Sequence, residues 1–170
     1  MNDNDKKWYV LRVRPRHEKV VAERLSENYE IFLPLLKKIN KWSDRVKCIE
    51  IPLFSGYLFI KTAINMRYYI LEEQGVSAFV QFGNKPAIIR DEEIQTILLM
   101  LKNSESLKVE NGFKFTQGDA VRITRGVFAG IEGKVLKNKN QIRLYISIEQ
   151  LGKIISVEID KNSLQKINNI

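Results

Sequence analysis

Cysteine and histidine are almost missing from this chain. Cys48 is the only cysteine and His17 the only histidine in 170 residues. One thiol makes no internal disulfide and no zinc knuckle, and one imidazole leaves too few ligands for transition-metal catalysis. No apolar run approaches the roughly 18 residues that cross a bilayer. The first thirty residues begin Met-Asn-Asp-Asn-Asp-Lys-Lys and hold no apolar h-region, so no secretory signal is read and a reducing cytoplasm is the expected location. No Gly-rich loop ends in Gly-Lys-Ser/Thr, the mark of a phosphate cradle. The acids Asp91-Glu92-Glu93 fit the positive end of a helix better than a general acid–base pair. The expectation is therefore a protein without enzymatic activity, cofactor, metal or membrane segment.

Apolar residues make up 44% of the chain and the net charge is +8, which is ample for a core and points to a polyanionic partner, nucleic acid being the commonest. Residues 1–101 carry 16 basic against 13 acidic side chains, and residues 102–170 carry 12 against 7. Neither part is a polybasic tail, so a defined basic face fits better than bulk coating.

Trp8 to Arg14 alternates as a strand, with Tyr9, Leu11 and Val13 on one side and Trp8, Val10, Arg12 and Arg14 on the other. Pro15 suits a first helical turn, and a helix is expected from Arg16 to about Tyr29. Pro34 marks 31–39 as an edge or bulged strand. Residues 37–47 hold Lys37, Lys38, Lys41, Arg45 and Lys47 against Asp44 and read as a mobile basic hairpin tip. Strands follow over 51–60, turning near Ser55-Gly56, and over 76–82, with a short helix at 65–73 between them. Asp91 is expected to cap a helix with Ile94, Ile97, Leu98 and Leu101 on one face. Residues 102–114 are polar and non-periodic and read as a linker. Beyond them, Gly126, Gly130 and Gly133 surround a lone Phe128 after the alternating Val121 and Ile123, and strands are expected at 134–138, 141–149 and 153–159. In 141–148, Ile142, Leu144, Ile146 and Ile148 share a face. The fold class is α+β: an antiparallel sheet flanked by helices over 1–101, the linker 102–114, and a small β-barrel over 115–170.

The stretch Gly118-Asp119-Ala-Val121-Arg122-Ile123 with its following glycines resembles the KOW motif, the opening of an SH3-like barrel. Phe54-Ser55-Gly56-Tyr57 resembles the Phe-Pro-Gly-Tyr of the NusG family, with Ser55 in place of the proline. In order and spacing, the Trp-Tyr strand, basic hairpin, Gly75-Val-Ser-Ala-Phe-Val and KOW motif resemble that family along essentially the whole chain. Pro52-Leu53-Phe54 and Gly75 to Gly83, followed by Pro86-Ala-Ile-Ile, look closer to its specialised RfaH-type and UpxY-type paralogues, the latter acting on capsular polysaccharide operons.

The resemblance implies a monomeric transcription elongation and antitermination factor. Its amino-terminal domain would dock on the clamp helices of bacterial RNA polymerase, touch the non-template DNA and suppress pausing, at particular operons. Its barrel would recruit a ribosomal protein or a termination factor. The alternatives are a general NusG that couples polymerase to termination or translation, and a ribosome-associated KOW protein that binds RNA. The implied polymerase contacts are Trp8, Phe54, Tyr57 and Phe59. Tyr57 and Phe59 share a strand face, and Phe54 and Tyr57 flank a Gly turn that would leave them bare; the bland alternative makes these rings core. The implied nucleic-acid contacts are Arg12, Arg14, Arg16, Lys19 and Arg24, since arginine forks match phosphates and base edges. The alternative there is a solvated helix face with Glu18, Glu23 and Glu27 as i, i+4 partners. Gln74 stands where the specialised paralogue has a basic residue. Phe128, Leu151 and Lys153 are the implied partner contacts of the barrel, unless Phe128 plugs it. The alternating β-branched strands and glycines favour a barrel that stays β over one that refolds as a helical hairpin.

Overall fold

A computed structural model describes residues 6–41, 46–102, 107–111, 119–125, 128–138, 141–159, 162 and 164–166. The chain divides into two compact units, Met1–Ile94 and Gln95–Ile170.

The first unit is built on a strand with apolar residues on both alternating faces. β1 (Lys7–Val13) is buried at every position except Lys7 and Arg12, the pattern of a central strand covered on two sides. It pairs antiparallel with β5 (Tyr57–Thr62), which pairs in turn with the short edge strand β2 (Glu30–Phe32). On its other side β1 meets β6 (Val76–Phe79) and β9 (Ile88–Ile89). Tyr9, Leu11, Val13, Leu58, Ile60 and Phe79 face one way and pack under Val21 and Leu25 of α1 (Glu18–Ser26) and Ile70 of α2 (Arg67–Leu71). The Tyr9 and Phe79 rings meet edge-on at 5.9 Å. Burial also raises the Tyr9 pKa above the ordinary phenol value, because a phenolate is poorly solvated there. The opposite face carries Trp8, Val10, Phe59 and Ile89, all buried.

Two expected boundaries move. The helix expected from Arg16 starts at Glu18, because Arg16 takes a left-handed backbone with φ 69°. The Arg14 N–H donates to the Gly75 carbonyl (2.8 Å) and the His17 N–H to the Arg14 carbonyl (3.0 Å). The turn is therefore spent joining β1 to the α2–β6 loop before the helix begins. The strand expected over 31–39 is interrupted at Leu33-Pro34, and β3 (Leu35–Lys41) pairs with β4 (Val46–Pro52) as a separate hairpin. Its tip, 42–45, lies outside the described residues.

Between β4 and β5, Gly56 has φ +79°, which any side chain would strain. Its carbonyl accepts from the Val13 N–H (2.9 Å) and its N–H donates to Glu18 Oε1 (2.7 Å). Glu18 is only 3% exposed. Its position as the first residue of α1 places the acid at the positive end of the helix. The alternative of a solvated helix face carrying Glu18 does not hold for this residue, which is the clasp of the turn.

After β6 come a two-residue strand pair, β7 (Gln81–Phe82) and β8 (Lys85–Pro86), then β9 and α3 (Asp91–Lys102). α3 begins at Asp91, so Asp91 is not its cap. Glu93 reaches back to the Arg90 N–H (3.0 Å).

The second unit contains a six-stranded antiparallel sheet with order β10-β14-β13-β12-β11-β15. These are β10 (Lys108–Asn111), β11 (Asp119–Ile123), β12 (Glu132–Asn138), β13 (Gln141–Ile148), β14 (Lys153–Glu158) and β15 (Leu164–Lys166). β10 falls inside the stretch expected to be linker; its Val109 stands opposite Ile155. β15, paired to β11, was not foreseen. Val121, Ile123, Leu144, Ile148, Ile154, Ile155 and Val157 are buried. A Cβ at Gly133 would stand 2.7 Å from the Tyr145 carbonyl oxygen and 2.8 Å from Leu144 Cδ1, so this glycine permits the close approach of β12 and β13.

A hydrogen bond to a charged acceptor contributes about 1.5–3 kcal/mol, and a buried donor left unmatched costs as much. Glu18→Ala is therefore expected to lower unfolding stability by about 2–3 kcal/mol, and Glu18→Gln, which keeps an acceptor oxygen, by less. Urea denaturation of the full chain measures both; equal losses would remove the clasp.

Candidate functional site

The aromatic residues of the first unit are arranged by the clasped turn. Glu18 draws the Gly56 peptide in. Phe54 then packs edge-on against Phe59, centroids 6.0 Å apart, and Phe59 stacks on Phe32 at 5.6 Å. Phe54 is 1% exposed, Phe59 0% and Trp8 5%. The expectation that rings at the 54–57 bend lie bare is thereby corrected for Phe54, and the three rings Trp8, Phe54 and Phe59 are core. The sheet is covered on both faces, so sharing a face with Tyr57 gives Phe59 no exposure.

Trp8 is also tied down by its polar edge. Its Nε1–H donates to Asp91 Oδ1 (2.9 Å), the same oxygen that accepts from Lys61 Nζ (3.2 Å), and that ammonium lies 5.7 Å from the indole centroid. Asp91, expected as a cap, is used instead to fasten the start of α3 to β1 and β5.

Tyr57 alone of the four stays half-exposed. Its hydroxyl accepts from Arg12 (3.4 Å), whose guanidinium also lies 5.9 Å from the ring centroid. That hydrogen bond, with the charge interaction, raises the Arg12 pKa above its already high ordinary value, so Arg12 is a cation at any working pH.

Of the five cations expected to face nucleic acid, three are open. Arg12, Arg14 and Arg16 are exposed, and none forms an ion pair among the described residues. Lys19 and Arg24 are already paired, Lys19 with Glu50 at 3.7 Å and Arg24 with Glu73 at 3.2 Å. Their partners come from β4 and from the loop after α2, not from the helix neighbours that the i, i+4 rule suggested. Such exposed pairs contribute only about 0–1 kcal/mol, yet they offset the positive potential locally. In the β3–β4 hairpin Lys37 and Lys38 are exposed; the side chains of Lys41, Arg45 and Lys47 lie outside the described residues.

In the second unit Phe128 is 7% exposed and Leu151 9%. Both are corrected from exposed partner contacts to buried residues, the lone ring in the Gly-rich turn included. Lys153 is half-buried. Arg143 was not anticipated. It is buried and donates to the Ser156 carbonyl (3.0 Å) and Oγ (3.1 Å), on the strand face opposite Leu144 and Ile148.

Sequence reasoning also missed the large apolar side chains that do stay in water. Phe82 is 66% exposed, on the separate two-stranded arm of β7 and β8, and Ile88 43%, on β9 where it stands opposite Tyr9 of β1. The signal was present: Gly83-Asn84 makes a hairpin turn, Gly83 with φ 63°, and two-residue strands cannot cover a phenyl ring. Tyr68 and Tyr69 on α2 are exposed as well. Among the described residues no group of three His, Cys, Asp or Glu could hold a metal, and no helix is long and apolar enough to cross a membrane.

An antiparallel sheet with helices, an arginine turn at the end of its central strand, and a following β unit define an α+β protein of two units with an exposed cationic turn on the first. The family model described as "Transcription termination factor nusG" matches residues 6–98. This chain belongs to the NusG family. It is 29% identical over 157 residues to the transcription termination/antitermination protein NusG of Chlamydia trachomatis, covering 84% of this chain and 85% of that one. It is 28% identical over 177 residues to the protein of the same description in Pasteurella multocida, covering 96% of each. The solved structure described as "Domain interaction in Thermotoga maritima NusG" superposes with a TM-score of 0.60 at 21% identity, covering 98% of this chain and all of that one, a likeness of fold.

Removing a fully buried phenyl ring costs about 3–5 kcal/mol. Phe54→Ala is expected to fall in that range, whereas Tyr57→Phe, at a half-exposed site, is expected to cost under about 1 kcal/mol. Chemical denaturation of the full chain measures both; a Phe54→Ala protein as stable as the parent would show that the ring is not packed.

Proposed function

We propose that this protein is a transcription elongation and antitermination factor that binds bacterial RNA polymerase and suppresses pausing and termination, with no enzymatic activity of its own. Family membership supports the general reading. The observation that carries the nucleic-acid part is the trio Arg12, Arg14 and Arg16: exposed, free of acid partners among the described residues, and grouped at the end of β1. Guanidinium forks suit the phosphates and base edges of an unpaired DNA strand. Lys19 and Arg24 would add to that face after exchanging Glu50 and Glu73 for phosphate.

The polymerase contact is proposed to involve Tyr57, Phe82 on the β7–β8 arm and Ile88 on β9. Trp8, Phe54 and Phe59 support it from within the core. A bound partner helix is best anchored by apolar rings that can leave water on binding, and in this unit Phe82 is such a ring. The second unit is proposed to engage a further partner, a ribosomal protein or termination factor, through its outer surface near Lys153.

An operon-specific role is the favoured reading, supported by the resemblance of Pro52-Leu53-Phe54 and of 75–83 to specialised paralogues. The general role has its own support, since the relatives above carry the general description. Transcription in vitro with purified polymerase separates the two: a general factor relieves pausing on any template, an operon-specific one only downstream of its own leader.

Arg14→Ala with Arg16→Ala is expected to weaken recruitment to a paused complex more than binding to core polymerase. The slope of log K against log salt should fall by about 0.7 for each lost phosphate contact to a single strand. Phe82→Ser is expected to do the reverse, losing core polymerase in a pull-down while keeping the salt slope. Equal losses in both assays for the arginine variant would remove its DNA role, and an unimpaired pull-down for Phe82→Ser would remove the arm from the polymerase contact.

A further inference from the structure

Two of the most exposed aromatic rings take no part in the site described above. Tyr68 is 71% exposed and Tyr69 67%. Both lie on α2, and the residue after them, Ile70, is fully buried in the core cluster with Met66 packed beside it. At about 3.6 residues per turn, a helix that buries positions 66 and 70 must turn 68 and 69 outward. Their exposure is thus imposed by packing. The Arg67 guanidinium carbon lies 5.5 Å from the Tyr68 ring centroid, placing a cation against one ring, and Arg67 forms no ion pair among the described residues. The loop that leaves α2 reaches Gly75, whose carbonyl accepts the Arg14 N–H at 2.8 Å. The tyrosine pair and the arginine turn are therefore on neighbouring segments of one unit.

We propose that Tyr68 and Tyr69, with Arg67, form a stacking platform for unpaired bases of single-stranded DNA. Every base has a π-face, so tyrosine rings hold bases with little regard to sequence, and a neighbouring arginine adds both phosphate attraction and a cation–π contribution. A protein anchor would need an apolar skirt to keep water from the rings. Here the flanking Asn65 and Glu72 are exposed polar residues, and Ile64 is the one exposed apolar neighbour in the segment 64–72. The net charge of +8 also favours a polyanion. The choice of DNA rests on the function proposed above, in which the arginine turn holds an unpaired DNA strand; the platform would take the bases of that strand.

The test is fluorescence anisotropy of the full chain with a labelled oligodeoxythymidylate of about fifteen nucleotides, alongside its RNA and duplex counterparts. Tyr68→Ala with Tyr69→Ala is expected to weaken the single strand about tenfold with an unchanged salt slope and unchanged thermal unfolding. Tyr68→Phe with Tyr69→Phe, which keeps the stacking faces, is expected to bind within about twofold of the parent. Duplex affinity should not respond to either. If the alanine pair binds the oligonucleotide like the parent while Arg14→Ala with Arg16→Ala binds more weakly, the platform is wrong and the arginine face stands. If neither pair matters, both fall. Loss of core polymerase by the alanine pair with oligonucleotide affinity intact would assign the rings to a protein contact and overturn the proposal, and tighter, tyrosine-dependent binding of the RNA strand would overturn the choice of DNA.

Discussion

The hydrogen bond from the Gly56 N–H to the buried Glu18 holds together the region on which the rest of the first unit depends. Three segments converge there. Glu18 opens α1, Gly56 closes the turn between β4 and β5, and Val13 ends β1 by donating to the Gly56 carbonyl. A buried acid is tolerated because its oxygen has a donor and because the helix terminus favours negative charge. Once that peptide is held on both sides, Phe54 has one place to go, against the edge of Phe59, and Tyr57 begins β5 opposite Arg12. The same junction sets where the chain leaves β1, and so where Arg14 and Arg16 stand.

The regular parts of the fold were legible because their periodicity is local. β1, β5, β13 and α3 each announce themselves within a dozen residues by a period of two or by i, i+3, i+4 spacing. The polar strands β10 and β15 do not. Lys108-Val-Glu-Asn and Leu164-Gln-Lys have no pattern of their own, and their β state comes from partners far along the chain. Arg16 was unreadable for a related reason. No composition rule predicts a left-handed arginine; the turn is imposed by the bond from Arg14 to Gly75.

The aromatic residues show where pattern stops short of environment. Alternation correctly placed Tyr57 and Phe59 on one face, as the register with Arg12 and Val10 shows. It carried no information on whether that face is covered. In a sheet packed on both sides, both sets of alternating side chains are core, and Val10, Phe59 and Leu11 are all fully buried. Exposure was instead written in element length. Phe82 sits on a two-residue strand beside a tight turn, and Tyr68 and Tyr69 on a five-residue helix anchored by Ile70. Elements that short have too little neighbouring surface to cover a large ring.

The same reasoning separates the cations. Strand face, helix position and the family resemblance offered five candidates, and the fold divides them through acids brought from elsewhere, Glu50 to Lys19 and Glu73 to Arg24. The three arginines left over share a rigid support. Arg12 is braced by the Tyr57 hydroxyl, and Arg14 and Arg16 belong to a turn fixed by two backbone hydrogen bonds. A left-handed backbone at a non-glycine residue costs about 1–3 kcal/mol and persists only where its surroundings over-determine it. Here the surroundings do so at the point where cations emerge. Side chains presented from a fixed turn lose less freedom on meeting a polyanion than they would from a loose one. The strain at Arg16 is thus consistent with a surface shaped for binding, and it is maintained by the same packed junction that hides Phe54.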